Sequence, residues 1–427
     1  GWDAGRDGGP DAGPNDAGDA GSGCPSPCTG NTPYCDALAR RCVACLEHAH
    51  CELDGDPCTV DRCGAGTCSS TPDPSCVVQV EAGGSHTCGR LGARTVKCWG
   101  DNSSGQLGDT STADRPRPDL VNNLLDAIDV SAGNLHTCAV RTTGTAVCWG
   151  ANTNGQLGNG DGSLMMSSAP IAVTSLAGAV DVEAGGSFSC ARRNSGSVAC
   201  WGNNLSGQLG NGSGGLSSAS PVEVMGIADA VELTTGDSHA CARLASGTVR
   251  CWGANGFGQL GDGSTTDRRA PVAVMSLTDA TEIAAGGYHT CARRATGVVV
   301  CWGRNLRGQL GDGSMVNSSV PVAVADLADA SLVEVGNSHS CAGRDSGAAV
   351  CWGQNGTGQL GDGSSLASPR PVAVTGLSDA IGLSVGSNHA CARRATAEVV
   401  CWGTNTEGQL GDGTRTNRTT PVTVIGL

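Results

Sequence analysis

Lysine is almost absent from this chain: Lys97 is the only one among 26 basic residues in 427 positions. Schiff-base chemistry and a phosphate loop of the GxxxxGK[ST] type both need a lysine that the chain mostly lacks. Aromatic rings other than tryptophan are nearly as scarce, with two Phe and two Tyr. An ordinary core leans on such rings, so the eight Trp must carry that load. Positive charge is also short. The net charge is −14, and residues 1–76 hold four arginines against twelve acids. The remaining arginines are spread along the chain without a basic stripe. An acidic surface repels phosphate, which excludes nucleic acid and anionic membrane as expected partners. No apolar run is long enough to span a bilayer.

Cysteine is what the chain has instead, 24 residues in all. Seven pairs share one offset of ten: Cys88 with Cys98, Cys138 with Cys148, Cys190 with Cys200, Cys241 with Cys251, Cys291 with Cys301, Cys341 with Cys351 and Cys391 with Cys401. An even count in regular pairs implies an oxidising compartment, so the expected location is extracellular or at the outer cell surface. Secretion requires a signal peptide and none is present, so Gly1 is expected to begin a processed form, with a lipid anchor upstream of residue 1. Arginine in place of lysine throughout points to a GC-rich bacterial source.

Three regions are expected. Residues 1–23 are Gly, Asp, Ala and Pro around Trp2 and read as a flexible acidic tether. Residues 24–76 hold ten cysteines and read as a small disulfide-rich module whose pairing the sequence leaves open. Residues 77–427 are seven repeats, with CysTrpGly recurring every 50 to 52 residues. In the fifth repeat, 281–285, His289–Arg294, 298–302 and 320–324 are short β-branched or apolar runs bounded by Gly, Pro, Asn and Asp. Four strands per repeat predict an all-β, seven-bladed propeller.

The cysteine offset has a geometric consequence. Cys138 and Cys148 lie directly opposite only across an odd loop centred on Thr143. The loop Thr142-Thr143-Gly144 fits, with Gly144 left-handed. Gly196, Gly247, Gly297 and Gly347 hold the same place, whereas Arg94 and Ala397 depart from it and predict different turns in the first and seventh hairpins. The cysteines then fall at a non-hydrogen-bonded pair, with Cα atoms about 4.5 Å apart. Seven cross-strand disulfides follow, each worth about 2–3 kcal/mol.

The repeated HisThrCysAla, CysTrpGly-Xaa-Asn, GlyGlnLeuGlyAspGly and ProVal motifs resemble the regulator of chromosome condensation repeat over residues 77–427. The resemblance implies a seven-bladed β-propeller. Members of that family include nuclear exchange factors for a small GTPase, a plant ultraviolet receptor, a secreted bacterial inhibitor of β-lactamase and bacterial surface proteins. The disulfide pairs and acidic charge depart from the nuclear members. Residues 24–76 are similar to cysteine-rich segments of secreted bacterial proteins.

Candidate sites are weighed against the repeat itself. His86, His136, His239, His289, His339 and His389 share one repeat position and can be imagined converging on a metal, but Phe188 stands in the third repeat, which favours packing. Asp262, Asp312, Asp362 and Asp412 suggest calcium loops, yet each loop offers one Asp, replaced by Asn159 and Asn211 in two repeats. Cys42, Cys45, His48 and His50 suggest zinc, against which disulfides are favoured. The expectation is no metal, no cofactor and no enzyme. Glu183, Glu232, Glu282 and Glu334 are the acids available to a polymer-degrading alternative, and they read as one repeat position. The sequence varies most between GlyGlnLeuGly and ProVal, where loops 110–117, 161–169, 213–220, 264–270, 314–320, 364–370 and 414–420 offer Arg115, Arg117, Leu164, Met165, Met166, Arg268, Arg269, Met315, Arg370, Arg415 and Arg418. Variable loops on a rigid ring are where binding is built. The leading expectation is a secreted binding scaffold for a protein partner; the alternative is a self-associating envelope component.

Overall fold

The computed structural model describes residues 34–36, 41–43, 58–64 and 67–427. The tether expected over 1–23 lies outside the described residues, as do Cys45, His48 and His50. The chain divides into two units, Gly1–Asp73 and Pro74–Leu427. In the first, Tyr34–Asp36 pairs antiparallel with Arg41–Val43, placing Cys35 opposite Cys42. Thr59–Gly64 pairs with Thr67–Pro72, placing Cys63 opposite Cys68. The second unit opens at Pro74, not Val77. Gly92 N–H donates to Cys76 O at 2.8 Å and Ala93 N–H to Pro74 O at 3.1 Å, so residues 74–76 belong to the first blade.

Seven four-stranded antiparallel sheets follow, each built from four consecutive strands. Blade 5 shows the plan: Ala280–Ala285, His289–Arg294, Val299–Gly303 and Ser318–Ala323, from the axis outward. No strand is borrowed between the chain ends. Among the described residues no helix is long and apolar enough to cross a membrane.

The CysTrpGly motif has a separate cause for each residue. The cysteines pair across the second and third strands of every blade. Cys88 is bonded to Cys98, Cys138 to Cys148, Cys190 to Cys200 and Cys241 to Cys251. Cys291 is bonded to Cys301, Cys341 to Cys351 and Cys391 to Cys401. The partners are direct cross-strand neighbours, as the offset requires, and one distance differs from the expectation. The Cα atoms stand 4.0–4.1 Å apart, closer than the roughly 4.5 Å of a free non-hydrogen-bonded pair, because the short disulfide bridge joins the two strands there. In the outer pairing the register skips Trp149, running from Cys148↔Ile171 to Gly150↔Ser167. This irregularity is repeated in every blade. Gly150 has φ +104°, and a Cβ there would stand 2.5 Å from Leu135 O. Only glycine accommodates both conditions.

The hairpin glycines are left-handed, from Gly144 at φ 73° to Gly196 at φ 83°. The first and seventh hairpins correct the expectation. Arg94 (φ 65°) and Ala397 (φ 67°) make the same turn, donating to Leu91 O at 2.8 Å and Arg394 O at 3.0 Å. Strand pairing and the disulfide on each side impose the turn against a side-chain cost of about 1–2 kcal/mol. Ala397→Gly relieves that cost while adding backbone freedom to the unfolded chain, so a net gain of about 0.5 kcal/mol is expected in urea unfolding. Gly297→Ala is expected to lose about 1 kcal/mol or more, because its Cβ would meet Ala328 O at 2.7 Å.

The core lies between blades. Cys88, Val96, Leu107 and Leu124 of blade 1 pack with Val130, Ala139, Val147 and Trp149 of blade 2. Val77, Val80 and Trp99 close the ring on Val399, Leu410 and Val424 of blade 7. Since no blade covers its own apolar face, the ring stands or falls through these seams.

Candidate binding face

Each seam is latched on one main-chain carbonyl. The GlnLeu turn of one blade presents its Gln O to the indole of the next: Trp149 Nε1 donates to Gln106 O at 2.8 Å, Trp302 Nε1 to Gln259 O at 2.9 Å and Trp402 Nε1 to Gln359 O at 3.0 Å. The seam that closes the ring is the same, Trp99 Nε1 to Gln409 O at 2.9 Å. In five blades a hydroxyl fills the second lone pair. Thr87, Thr137, Ser189, Thr290 and Ser340 donate to a Gln O at 2.8–3.0 Å.

The histidines join this latch. His86 Nε2 lies 2.9 Å from Thr137 Oγ1, and His389 Nε2 lies 2.8 Å from Thr87 Oγ1 across the closing seam. The hydroxyl proton is already given to the Gln carbonyl, so the imidazole must donate from Nε2 and leave Nδ1 bare. All six Nδ1 atoms are buried without a partner. Burial keeps the rings neutral, pushing His86 down to about 3 and His136 to about 4. They reach outward to the next blade and converge on nothing. Phe188 is matched by Ala240 at the hydroxyl position, so that seam lacks both halves of the pair. His339 faces Ala390 and has neither ring nitrogen partnered. Ala390→Ser, which copies Ser340 of the preceding blade, is expected to raise stability by about 1 kcal/mol; Ala240→Ser, which has no histidine to answer it, gains less. Unfolding midpoints of the two variants check this.

The inner strands correct a second expectation. Glu183 and Glu334 occupy the fifth position of their strands, whereas Glu232 and Glu282 occupy the third. Alternation puts both positions on one face. From there the side chains cap the open edge of the next blade. Asp129 Oδ2 accepts from Val182 N–H at 3.0 Å, Glu232 Oε1 from Ile283 N–H at 3.0 Å and Thr234 Oγ1 from Ala285 N–H at 3.0 Å. Arg243 and Arg293 neutralise Glu232 and Glu282 at 2.5 and 2.9 Å. Glu81 has no direct ion pair among the described residues, and Arg90 nearby offsets only part of its burial. Burial, then the neighbouring charge of Asp129, pushes it up to about 8. Glu183 and Glu334 are raised well above the carboxylate range, first by burial and then by surrounding acids. Beyond them the turns at Gly83, Gly133, Gly185, Gly236, Gly286, Gly336 and Gly386 line an axial depression open to solvent, of about 70 Å³. Backbone bonds such as Gly84 N–H to Gly133 O at 3.0 Å belt its mouth.

Antiparallel order puts these axial turns and the long loops after the third strands on one face of the disc, with the hairpins and blade connections on the other. Many arginines of the variable loops are spent within them. Arg115, Arg268 and Arg418 hold one repeat position and pair with Asp109, Asp262 and Asp412 at 2.9, 2.8 and 2.7 Å. Those aspartates also accept from the loop amides, as Asp262 Oδ1 does from Asn255 Nδ2 at 3.1 Å. Asp312 and Asp362 are held the same way by Asn305 and Asn355. Arg370 pairs with Asp326, and Arg415 with Asp114 across the closing seam. Arg117 lies against Gly413, Arg269 against Gly214. Leu164 is half-buried, its carbonyl accepting from Asn152. The apolar side chains stay open: Met165, Met166 and Met315, joined by Leu205, Leu216, Val316 and Leu366.

One cluster on this face is absent from the expectations. Phe257 and Tyr288 meet edge to face at 5.5 Å, with the Arg304 guanidinium 5.2 and 5.4 Å from their centroids. Its signal lies in the pairing of successive repeats across a seam. Thr290 bonds Gln259 thirty-one positions back, so residues two places before each must be neighbours.

Fold and latch together define a seven-bladed β-propeller of continuous blades sealed by side chains. The chain matches the RCC1-like domain over residues 95–427 and the Regulator of chromosome condensation (RCC1) repeat over 77–106; it belongs to the RCC1-like domain family. The E3 ubiquitin-protein ligase HERC2 of Mus musculus is 31% identical over 195 residues, which is 44% of this chain and 4% of HERC2. The Ultraviolet-B receptor UVR8 of Arabidopsis thaliana is 30% identical over 199 residues, 46% of this chain and 34% of the receptor. The matches therefore span a minor part of either relative. Human WBSCR16 superposes with TM-score 0.68 at 23% identity, covering 76% of this chain and 88% of that one. Yeast RCC1 (Prp20), solved with Kap60, superposes with TM-score 0.68 at 21% identity, covering 83% and 85%. At such identity these two share the fold alone.

Proposed function

We propose that this chain is a non-enzymatic scaffold that binds a protein partner through the loop face, outside the reducing cytosol. The observation that carries the reading is the contrast between the two parts of each repeat. Most of what recurs serves seam latches, edge caps and staples. What varies is a set of loops with open apolar side chains, from Met166 at 36% exposed to Leu216 at 83%. Variable contact residues on a rigid ring are how repeat folds build specific surfaces. Seven buried disulfides favour an oxidising compartment. Prp20p of Saccharomyces cerevisiae, which shares the fold, has binding properties to Gsp1p and histones, and protein binding by this acidic, disulfide-bonded chain is in keeping with that use of the fold.

Photocrosslinkers at Met165, Leu216 and Leu366 are expected to capture one protein species, whereas crosslinkers at Ser195 and Ser246 on the opposite face capture none. Capture from both faces alike, or from neither, contradicts the reading. Crosslinks only to a second copy of the chain favour the self-associating alternative.

A further inference from the structure

At one seam of the loop face a cation without an ion pair among the described residues rests on two aromatic rings. Phe257 comes from the blade 4 turn at 255–258, Tyr288 from the axial turn of blade 5, and Arg304 follows the third strand of blade 5. Arg304 N–H donates to Tyr288 O at 3.0 Å, fixing the base of the side chain. Its guanidinium rests on both rings at 5.2 and 5.4 Å. Among the described residues it has no ion-pair partner, and its Nε is buried without a hydrogen bond. Arg307, exposed on the same loop, has no ion pair among them either. Arg115, Arg268, Arg415 and Arg418 of this face are paired, whereas Arg117 and Arg269 also lack an ion pair among the described residues; what sets Arg304 apart is its seat on two rings. The blade 5 loop holds one acid, Asp312, and it is occupied by Asn305 and Ser314. Open apolar side chains flank the arginines: Leu306 at 52%, Met315 at 53% and Val316 at 72% exposed. Asn305 draws them together, its amide donating to Ser314 O at 3.2 Å.

A guanidinium seated on two rings has lost much of its rotational freedom before any partner arrives. Its free edge presents paired donors with the fork geometry that fits a carboxylate. An Arg–Tyr centre with an apolar flank is the usual composition of a binding hot spot. We propose that this seam binds an extended acidic segment of a protein partner, with a carboxylate on Arg304 and Arg307 and an adjacent apolar side chain over Leu306 and Val316. The inference rests on the protein-binding reading above and adds the chemistry of what is bound. Arg243 and Arg293, which neutralise acids, have their Nε bonded; Arg304 and Arg344 do not, and of these two Arg344 has an acid beside it and Arg304 has none among the described residues.

The test uses the full chain and a fluorescent peptide of Glu, Leu and Gly, read by anisotropy, beside a Lys-for-Glu peptide and a single-stranded oligonucleotide. Saturable binding of the acidic peptide is expected, weakening as salt rises, with no binding of the lysine peptide. Arg304→Ala is expected to weaken it about tenfold or more, and Tyr288→Ser to weaken it less. Both substitutions install residues that other blades already hold there, Ala151 and Ala254, or Ser85 and Ser187. Unchanged unfolding midpoints will show that the ring is intact. Arg94→Ala, on the opposite hairpin face where blade 7 already holds Ala397, leaves affinity unchanged. Equal affinity of wild type and Arg304→Ala, no binding of the acidic peptide, or preference for the oligonucleotide overturns the assignment. If crosslinks from Met165 and Leu366 to a protein survive that result, only the seam assignment falls; if they are absent too, the scaffold reading falls with it.

Discussion

Trp302→Ala is expected to lower the unfolding free energy by about 3–5 kcal/mol. The indole is fully buried between blades 4 and 5, packed with Leu260, Val274, Leu277 and Ile283. Its cluster of described residues holds no second ring to fill the void. The sharper comparison is between two Trp→Phe variants, which keep most of the packing and remove the indole N–H. In blade 5, Gln259 O retains Thr290 as a donor at 2.9 Å. In blade 7, Ala390 stands where the hydroxyl would be, and Trp402 is the donor that Gln359 O has among the described residues. Trp402→Phe therefore orphans a buried carbonyl and is expected to cost about 1 kcal/mol more than Trp302→Phe. Urea unfolding under oxidising conditions reads both. Equal losses would mean that the indole bonds contribute little and packing alone holds the seams.

The second large effect is in pH. The six histidines are held neutral in the folded ring, pushed down to about 3 or about 4 with burial as the first cause. Their unfolded value is near 6.5. Below 6.5 the unfolded chain binds protons that the folded ring refuses, so these groups remove stability as pH falls toward 3. The carboxylates act in the opposite direction. Glu81 is raised to about 8 and Asp181 to about 7, by burial first and Asp129 second, with Glu183 and Glu334 raised well above the usual range. The unfolded chain has released these protons by about 4.5 while the folded ring keeps them. They therefore remove stability as pH rises above about 4.5, Asp181 through about 7, Glu81 through about 8, and Glu183 and Glu334 above the usual carboxylate range. Between 4.5 and 6.5 the two sets offset one another. Above 6.5 only the carboxylates titrate, and a loss on the order of a few kcal/mol is expected by pH 9, reduced by screening where the inner wall is wet. Glu183→Gln should flatten that alkaline limb. A midpoint that stays constant from pH 6 to 9 would show that these acids are ionised in the folded ring.

How far the sequence carries depends on the range of the interaction. The ten-residue cysteine offset is a local property of one hairpin, and it leads directly to Gly144, the three-residue loop and the staple. Blade count and strand number follow from spacing in the same way. Arg94 and Ala397 were misjudged because a turn's conformation is set by the strands and disulfide flanking it as well as by its own residue. Glu183 and Glu232 read as one position because both precede a glycine-rich turn; two residues along a strand return to the same face, so the error left the direction right and the layer wrong. The latches were not legible. Nothing within a repeat says that His86 answers Thr137 or that Trp149 answers Gln106, since each pair spans a seam. The pattern appears only on comparing successive repeats, where Phe188 coincides with Ala240. The Phe257, Tyr288 and Arg304 seam was missed for the same reason.

The division of each repeat into spent scaffold and free loop is the central claim, and a pair of chimeras tests it most directly. In one, loops 161–165, 213–217, 314–317 and 364–367 are all replaced by the blade 4 loop 264–267. In the other, the hairpin loops 142–144, 194–196, 295–297 and 345–347 are exchanged for 245–247. Both should unfold near the wild-type midpoint, because neither touches a latch, a cap or a disulfide. Partner capture is predicted to vanish in the first chimera and persist in the second. Capture that survives the loop-face exchange, or that is lost with the hairpins instead, would contradict the account.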